Sequence, residues 1–404
     1  MEGYNKKVIM SYWTICRMKT TKKIYVKVSI IFLLGGILLF SSCEKEENQK
    51  IEANRKTLFM YLPWSSNLTN YFYNNISDLE KCITKIGLNN EKVIVFISTG
   101  STEAMMFEIV SSHGRCKREI LKKYKSPPFT TIDGITAILN DVKAFAPASV
   151  YTMIIGCHGM GWLPVYEMKV RSAPHMKMHW EYQGVPLTRY FGGLTAEYQT
   201  DIKSLASGIA NAGMKMEYIL FDDCYMSSIE VAYELKDVTK YLIGSTSEMM
   251  AYGMPYAAIG EYLLGNPDYQ SGCEEFYNFY STYEIMPCGT LAVTDCSELE
   301  NMAAIIKSIN SKYSFDKSLR GTIQRLDGYT PVIFYDFADY ITSLCNDPIL
   351  LNQFREQLNH LVPYKTHTKN FYTMAKGIIP INTFSGITTS VPSDNPMTVL
   401  KENT

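Results

Sequence analysis

Two stretches of the chain share one pattern: a short apolar run that breaks off into small and polar residues. The first is Val150-Tyr151-Thr152-Met153-Ile154-Ile155, followed by Gly156-Cys157-His158-Gly159-Met160-Gly161. The second is Tyr218-Ile219-Leu220-Phe221, followed by Asp222-Asp223-Cys224-Tyr225-Met226-Ser227-Ser228. Short aromatic and β-branched runs without polar alternation predict strands buried on both faces. Thr57 to Pro63, Lys92 to Ser98, Lys240 to Ser245 and Thr290 to Thr294 read the same way. Between them the apolar positions fall on the helical period. Asp78 to Ile86 is a helix closed by Gly87. Thr131 to Phe145 carries Ile135, Ile138, Leu139 and Val142 on one side and stops before Pro147. Tyr198 to Ala212, Pro267 to Tyr283 and Leu299 to Tyr313 are further helices, and Ser227, Ser228 and Glu230 open one more. Met105 to Tyr124 is ambiguous; with Ala104 to Val110 as a strand, His113-Gly114-Arg115 is a hairpin turn. Alternating strands and helices predict an α/β fold: a three-layer α-β-α sandwich around a mostly parallel central sheet.

The front of the chain follows different rules. Met18-Lys19-Thr20-Thr21-Lys22-Lys23 is a basic start, and Val28 to Phe40 is an apolar run of signal-peptide length, short for a membrane span. Leu39-Phe40-Ser41-Ser42-Cys43 resembles a bacterial lipobox, with Phe40 where an aliphatic residue is usual. Residues 1–43 are thus expected to be a signal peptide with its true start at Met18 and Cys43 as the lipidated residue. An ordinary cleaved signal or an uncleaved anchor is the competing reading. Lys45-Glu46-Glu47 resembles a surface-export signal of Bacteroidetes lipoproteins, which places the protein at the outer membrane, periplasmic or surface-exposed. Residues 44–56 are polar and read as a tether, 57–392 as the folded domain, and 393–404 as a frayed tail.

Composition narrows the function. A net charge of −1 argues against a nucleic-acid partner. Of ten cysteines, none forms a C-x-x-C pair, so a cysteine-based zinc site is not expected. Their irregular spacing gives no disulfide framework, and most are expected to be buried small hydrophobes.

Cys224 and His158 are the exceptions. Each follows a strand, at the place where open α/β sheets hold ligands. A helix N-terminus after Cys224 would favour thiolate over thiol. Glycines around His158 let the backbone turn and a substrate come close. Taken singly, Cys224 reads equally as a packed hydrophobe and His158 as a hydrogen-bonded loop residue. Together they form a cysteine–histidine pair suited to covalent catalysis.

Cys157-His158-Gly159-x-Gly161 after a strand, the string from Phe221 to Leu235 (FDDCYMSSIEVAYEL), and Leu242-Ile243-Gly244-Ser245-Thr246-Ser247-Glu248 resemble the clostripain family of cysteine peptidases. The resemblance spans about Thr57 to Pro392 and implies a caspase-like fold. It implies Cys224 as nucleophile, His158 as proton donor to the leaving amine, and the N–H groups of Gly159 and Cys224 as oxyanion donors. Asp222 matches the family's acid at the specificity pocket, implying cleavage after Arg or Lys through charge-assisted hydrogen bonds. Asp223, where a small residue is common, competes for that role, and helix capping is the alternative for both. Ser245 and the loop from Thr246 to Tyr256 are expected to wall the substrate cleft. That loop lacks the second acid and tryptophan that family members often carry.

The segment from Val165 to Thr200 has no steady period. Family members are often activated by a cut between His and Cys after a basic residue. Arg171-Ser172 is the expected site, with Lys169 and Lys177 as rivals and a plain surface loop as the alternative. His175 and His179 have helical metal spacing, but Pro174 and the lack of a third ligand argue against zinc. The chemistry needs no cofactor. The resemblance allows calcium, and Val332 to Tyr340 is aspartate-rich, yet two Asp and a Tyr do not define a site. Ser385 to Pro392 resembles the family's closing strand. The expectation is a lipid-anchored cysteine endopeptidase acting on Arg/Lys peptides. The alternative is a silent surface lipoprotein of the same fold that binds peptide or protein.

Overall fold

The computed structural model describes residues 54–65, 67–163, 182, 184–186 and 198–399. The signal, Cys43, nearly all of the tether, Lys169, Arg171, Ser172, His175, Lys177 and His179 lie outside the described residues.

Ten strands and nine helices carry the argument. In chain order they are β1 (Asn54–Leu62), α1 (Thr69–Ile86), β2 (Glu91–Ser98), β3 (Glu103–Ser112), β4 (Arg115–Lys125), α2 (Ile132–Phe145), β5 (Ala148–Gly156), α3 (Ile202–Asn211) and β6 (Met216–Asp222). Then follow α4 (Ile229–Leu235), β7 (Thr239–Gly244), α5 (Tyr256–Leu263), α6 (Tyr269–Ser281), β8 (Thr290–Asp295), α7 (Leu299–Asn310), α8 (Phe337–Leu344), α9 (Pro348–Leu361), β9 (Tyr364–His367) and β10 (Asn370–Thr373). Nine strands form one sheet in the order β9-β8-β7-β6-β5-β1-β2-β3-β4. The central five, β7-β6-β5-β1-β2, are parallel, and an antiparallel pair flanks them on each side.

The unbroken apolar runs are central strands because both faces are covered. Along β2, Ile94 and Phe96 enter one core with α2, α3, α4, α7 and α9. Val93, Val95 and Ile97 enter the other with α1, α5 and α6. Helix starts follow local chemistry: Thr131, Asp201, Ser228, Asp268 and Asp347 each accept a backbone N–H of the first turn. The ambiguous segment after Gly100 is the β3–β4 hairpin, turning at His113 and Gly114 with positive φ. Its outer strand carries Lys and Arg at six positions, a common protection of a sheet edge.

Several boundaries differ from expectation: α1 begins at Thr69 rather than Asp78, and three others bear on the argument. β1 begins at Asn54 because Lys56 is buried, donating from Nζ to the carbonyls of Leu263 and Gly265 at 2.9 and 2.7 Å. Desolvation pushes its pKa down to about 8, with Glu91 acting against the shift. Val332 to Tyr340 contributes only a two-residue strand, Tyr335–Asp336, before α8. From residue 393 to 399 the chain is held: Asn395 donates to the Pro331 carbonyl at 2.7 Å, and Pro396–Val399 is a short helix. The described cysteines are all free thiols, and all but Cys116 are buried.

Candidate active site

The ladder between β5 and β6 ends with Gly156 opposite Asp222, so His158 and Cys224 emerge side by side beyond it. Asp223 joins the two ends. Its Oδ1 accepts the Cys157 N–H at 2.6 Å, and its Oδ2 accepts the Cys157 thiol at 3.5 Å. The backbones then close further. A Cβ at Gly159 would stand 2.1 Å from the Cys224 carbonyl oxygen and 2.9 Å from its nitrogen. Only glycine fits there, which is the reason for this member of the glycine pattern around His158.

Cys224 is fully buried. Its Sγ accepts the Met249 N–H at 3.0 Å and lies 3.7 Å from the Met249 carbonyl. Helix α4 starts only at Ile229, capped by Ser228, so the helix N-terminus expected directly after Cys224 lies five residues on, and the wall loop supplies the donor on sulfur. Directly after Cys224 the chain turns sharply: Tyr225 has φ 61°, an uncommon conformation for a bulky residue. Its surroundings hold it there. The Tyr225 hydroxyl donates to Glu248 at 2.8 Å, and its ring stacks on Phe334 with centroids 4.8 Å apart. Glu248 in turn accepts the Met374 N–H at 2.9 Å.

His158 is also fully buried, with Nε2 2.8 Å from Oδ1 of Asn67. Asn67 follows β1, the strand next to β5, so it reaches the same sheet edge. Sequence reading missed it. Asparagine in a polar loop carries no motif, and only the strand order places it beside His158.

Asp222 is buried, with Oδ1 accepting the Met254 N–H and Oδ2 accepting the Tyr256 hydroxyl, both at 2.9 Å. The wall loop from Ser245 to Pro255 thus runs alongside the Cys224 segment as an irregular ladder. Ser227 N–H donates to the Ser245 carbonyl at 2.9 Å and Tyr225 N–H to the Ser247 carbonyl at 3.0 Å. The Ser245 hydroxyl turns toward Thr290 of β8, 2.7 Å away. On the other side, Thr388 N–H donates to the Ser227 carbonyl at 3.0 Å, so the closing stretch flanks the same segment. His158, Gly159, Asp222, Cys224 and Ser245 therefore share one edge, at the C-terminal ends of β5, β6 and β7.

The acids beyond this edge hold loops. Asp336 caps α8 through the Asp339 N–H at 3.0 Å and accepts Ser385 N–H at 2.6 Å. Asp339 accepts the Gln324 N–H at 2.6 Å. Among the described residues no three His, Cys, Asp or Glu side chains gather as metal ligands would. Asp327 is buried, accepting the N–H groups of Tyr329 and Ile333 at 2.7 and 2.8 Å, and so shapes the loop that brings Phe334 to Tyr225. Desolvation raises its pKa to about 6 against those donors and Arg325.

Residues 60–374 match the family model described as the clostripain family. The chain is 58% identical to a secreted C11 cysteine protease from Bacteroides thetaiotaomicron, over 87% of this chain and 97% of that one, with a TM-score of 0.81. It is 65% identical to a clostripain from the same organism, solved in complex with the peptide inhibitor BTN-VLTK-AOMK. That match covers 53% of this chain and 96% of the other, with a TM-score of 0.52. An inactive zymogen C11 protease from Parabacteroides distasonis shares the fold at 24% identity and a TM-score of 0.70, over 86% of this chain and 94% of its own. No curated protein matches.

Proposed function

The chain belongs to the clostripain family of cysteine peptidases, and on that premise we propose that it cleaves peptide bonds after Lys or Arg with Cys224 and His158. The convergence of these two side chains at the ends of adjacent strands carries the reading. Cys224 Sγ attacks the scissile carbonyl carbon, forming the C–S bond as the carbonyl electron pair moves to oxygen. Backbone N–H groups at Gly159 and Cys224 receive that oxyanion; one such donor is worth about 10²–10³ in rate. His158, held through Nε2 by Asn67, takes the thiol proton at Nδ1 and hands it to the amine as the C–N bond breaks and the oxyanion collapses to the thioester. Water then hydrolyses the thioester.

Asp222 supplies the charge for a basic side chain, and its bonds to Met254 and Tyr256 fix it against the wall loop. The inhibitor carried by the 65%-identical relative has a peptide part ending in lysine, which supports a basic preference. Burial of both Cys224 and His158 supports latency of the uncut chain. Cleavage between His158 and Cys224, with Arg171-Ser172 as the site, then opens the cleft. The secreted relative supports export, and Cys43 serves as the lipid anchor at the outer membrane.

The test compares the full chain with Cys224→Ala on fluorogenic peptides ending in Lys, Arg or Asp, while chain masses are followed. Lys or Arg turnover, lost in the variant, is expected, with a cut near Arg171 in the wild type only. A folded wild type that neither cuts itself nor turns over any peptide, even after trypsin nicking, would overturn the reading.

A further inference from the structure

The peptide group that gives its N–H to Asp222 is held from its opposite side. Tyr280, on α6, donates from its hydroxyl to the Gly253 carbonyl at 2.6 Å. That carbonyl and the Met254 N–H belong to one planar trans unit, so they point in opposite directions. Tyr280 thereby fixes the tilt of the donor that meets Asp222 Oδ1 at 2.9 Å. A hydrogen bond to the carbonyl also polarises the N–H of the same amide and strengthens it as a donor.

Tyr280 is fully buried and its ring is fixed. The rings of Phe276 and Phe279 lie 4.7 and 5.1 Å from it, and a Cβ at Gly289 would stand 2.9 Å from its Cγ. The adjoining carbonyls are held from α1. Buried Asn75 donates from Nδ2 to the Tyr252 carbonyl at 2.8 Å and to the Met254 carbonyl at 3.5 Å. Asp78 Oδ2 accepts the Tyr252 hydroxyl at 2.7 Å. Gly253, with φ 77°, supplies the turn between them. Three successive carbonyls of the wall loop therefore accept side-chain donors from two helices.

We infer that Tyr280 is a positioning residue for the basic preference of the cleft: it orients Asp222 through the Gly253–Met254 peptide, and Asn75 supports the same peptide from α1. Hydrogen bonds weaken steeply with misalignment, so a carboxylate with a displaced donor meets an ammonium or guanidinium less well. Tyr280, being fully buried, acts only through this chain of contacts. The inference rests on Asp222 as the specificity acid.

The experiment is a double-mutant cycle on kcat/KM for Lys and Arg peptides, with wild type, Tyr280→Phe, Asp222→Asn and the double variant. Tyr280→Phe keeps the ring and removes the hydroxyl, and should lower kcat/KM roughly fivefold, the size of one lost hydrogen bond. In the Asp222→Asn background the same change should cost less than about twofold, because coupled residues are not additive. Asn75→Leu should repeat the pattern. An equal loss in both backgrounds would mean that Tyr280 acts on the loop as a whole, and overturns the inference; so does no loss in Tyr280→Phe. If Asp222→Asn leaves both peptides unaffected, the specificity reading itself fails and takes the inference with it. Hydrogen exchange of the 249–256 peptide, followed by mass spectrometry in Cys224→Ala, gives a readout without turnover. Tyr280→Phe should speed it, and an unchanged rate overturns the inference. Melting curves verify folding, and if Asn75→Leu does not fold, Tyr280→Phe decides alone.

Discussion

Asp223 grips the backbone of Cys157, with Oδ1 2.6 Å from the amide nitrogen. The residue next to Cys224 thereby holds the residue next to His158. Small displacements of reacting groups can cost about 10²-fold in rate. Asp223→Ala is expected to lower kcat roughly a hundredfold with little change in KM. Asp223→Asn, which keeps one acceptor for the Cys157 N–H, should recover most of it. Steady-state kinetics on a Lys peptide checks this; equal losses in the two variants would refute it.

Asn67 makes a second positioning prediction. Its Oδ1 accepts from Nε2–H of His158 and fixes the orientation of the ring. Asn67→Ala should lower kcat on the order of tenfold with KM little changed, and Asn67→Asp, which keeps the acceptor, should recover most of it. Equal losses in the two variants would show that the contact has no part in catalysis.

Asp222→Asn tests specificity. Charge-assisted hydrogen bonds contribute about 1.5–3 kcal/mol, so kcat/KM on Lys and Arg peptides should fall roughly ten- to a hundredfold. The amide retains an acceptor for Tyr256 or Met254, so the wall loop should stay in place. Unchanged kinetics would move the specificity acid elsewhere.

Asp327 links stability to pH. Burial raises its folded pKa to about 6, above the unfolded value near ~3.9. Its stabilising contribution is therefore complete below about pH 4 and is lost as pH rises through about 6. The loss amounts to roughly 3 kcal/mol. Urea unfolding from pH 4 to 7 should show a decline in the wild type that is shallower in Asp327→Asn, whatever the offset between the proteins. Parallel curves would contradict it.

Much of the sheet edge that holds His158 and Cys224 was legible because central strands advertise themselves. The runs before His158 and Cys224 are apolar on both faces, and the polar residues that interrupt them must sit at strand ends. The β3–β4 hairpin was ambiguous because its outer strand is mostly solvated and carries no apolar face. Lys56 read as tether because charge suggests exposure, and its burial depends on carbonyls from Leu263 and Gly265, far along the chain. The Met249 amide on Cys224 and the Asn67 contact on His158 were hidden for the same reason. A backbone donor has no residue signature, and a partner on a neighbouring strand is specified by sheet order alone.

The β5–β6 ladder bears on what becomes of a severed chain. Scission between His158 and Cys224 would yield two polypeptides, one ending after β5 and the other beginning before β6, whereas the pairing of Met153 to Gly156 with Ile219 to Asp222 does not depend on the linking segment. β1 and β2 lie with the first piece, β7 and β8 with the second, and the cut faces are zipped along a shared interior seam. Separating the pieces would expose the middle of the sheet to water, so the nicked product should travel as a single heterodimeric particle. Denaturing electrophoresis would resolve two bands where gel filtration finds one peak.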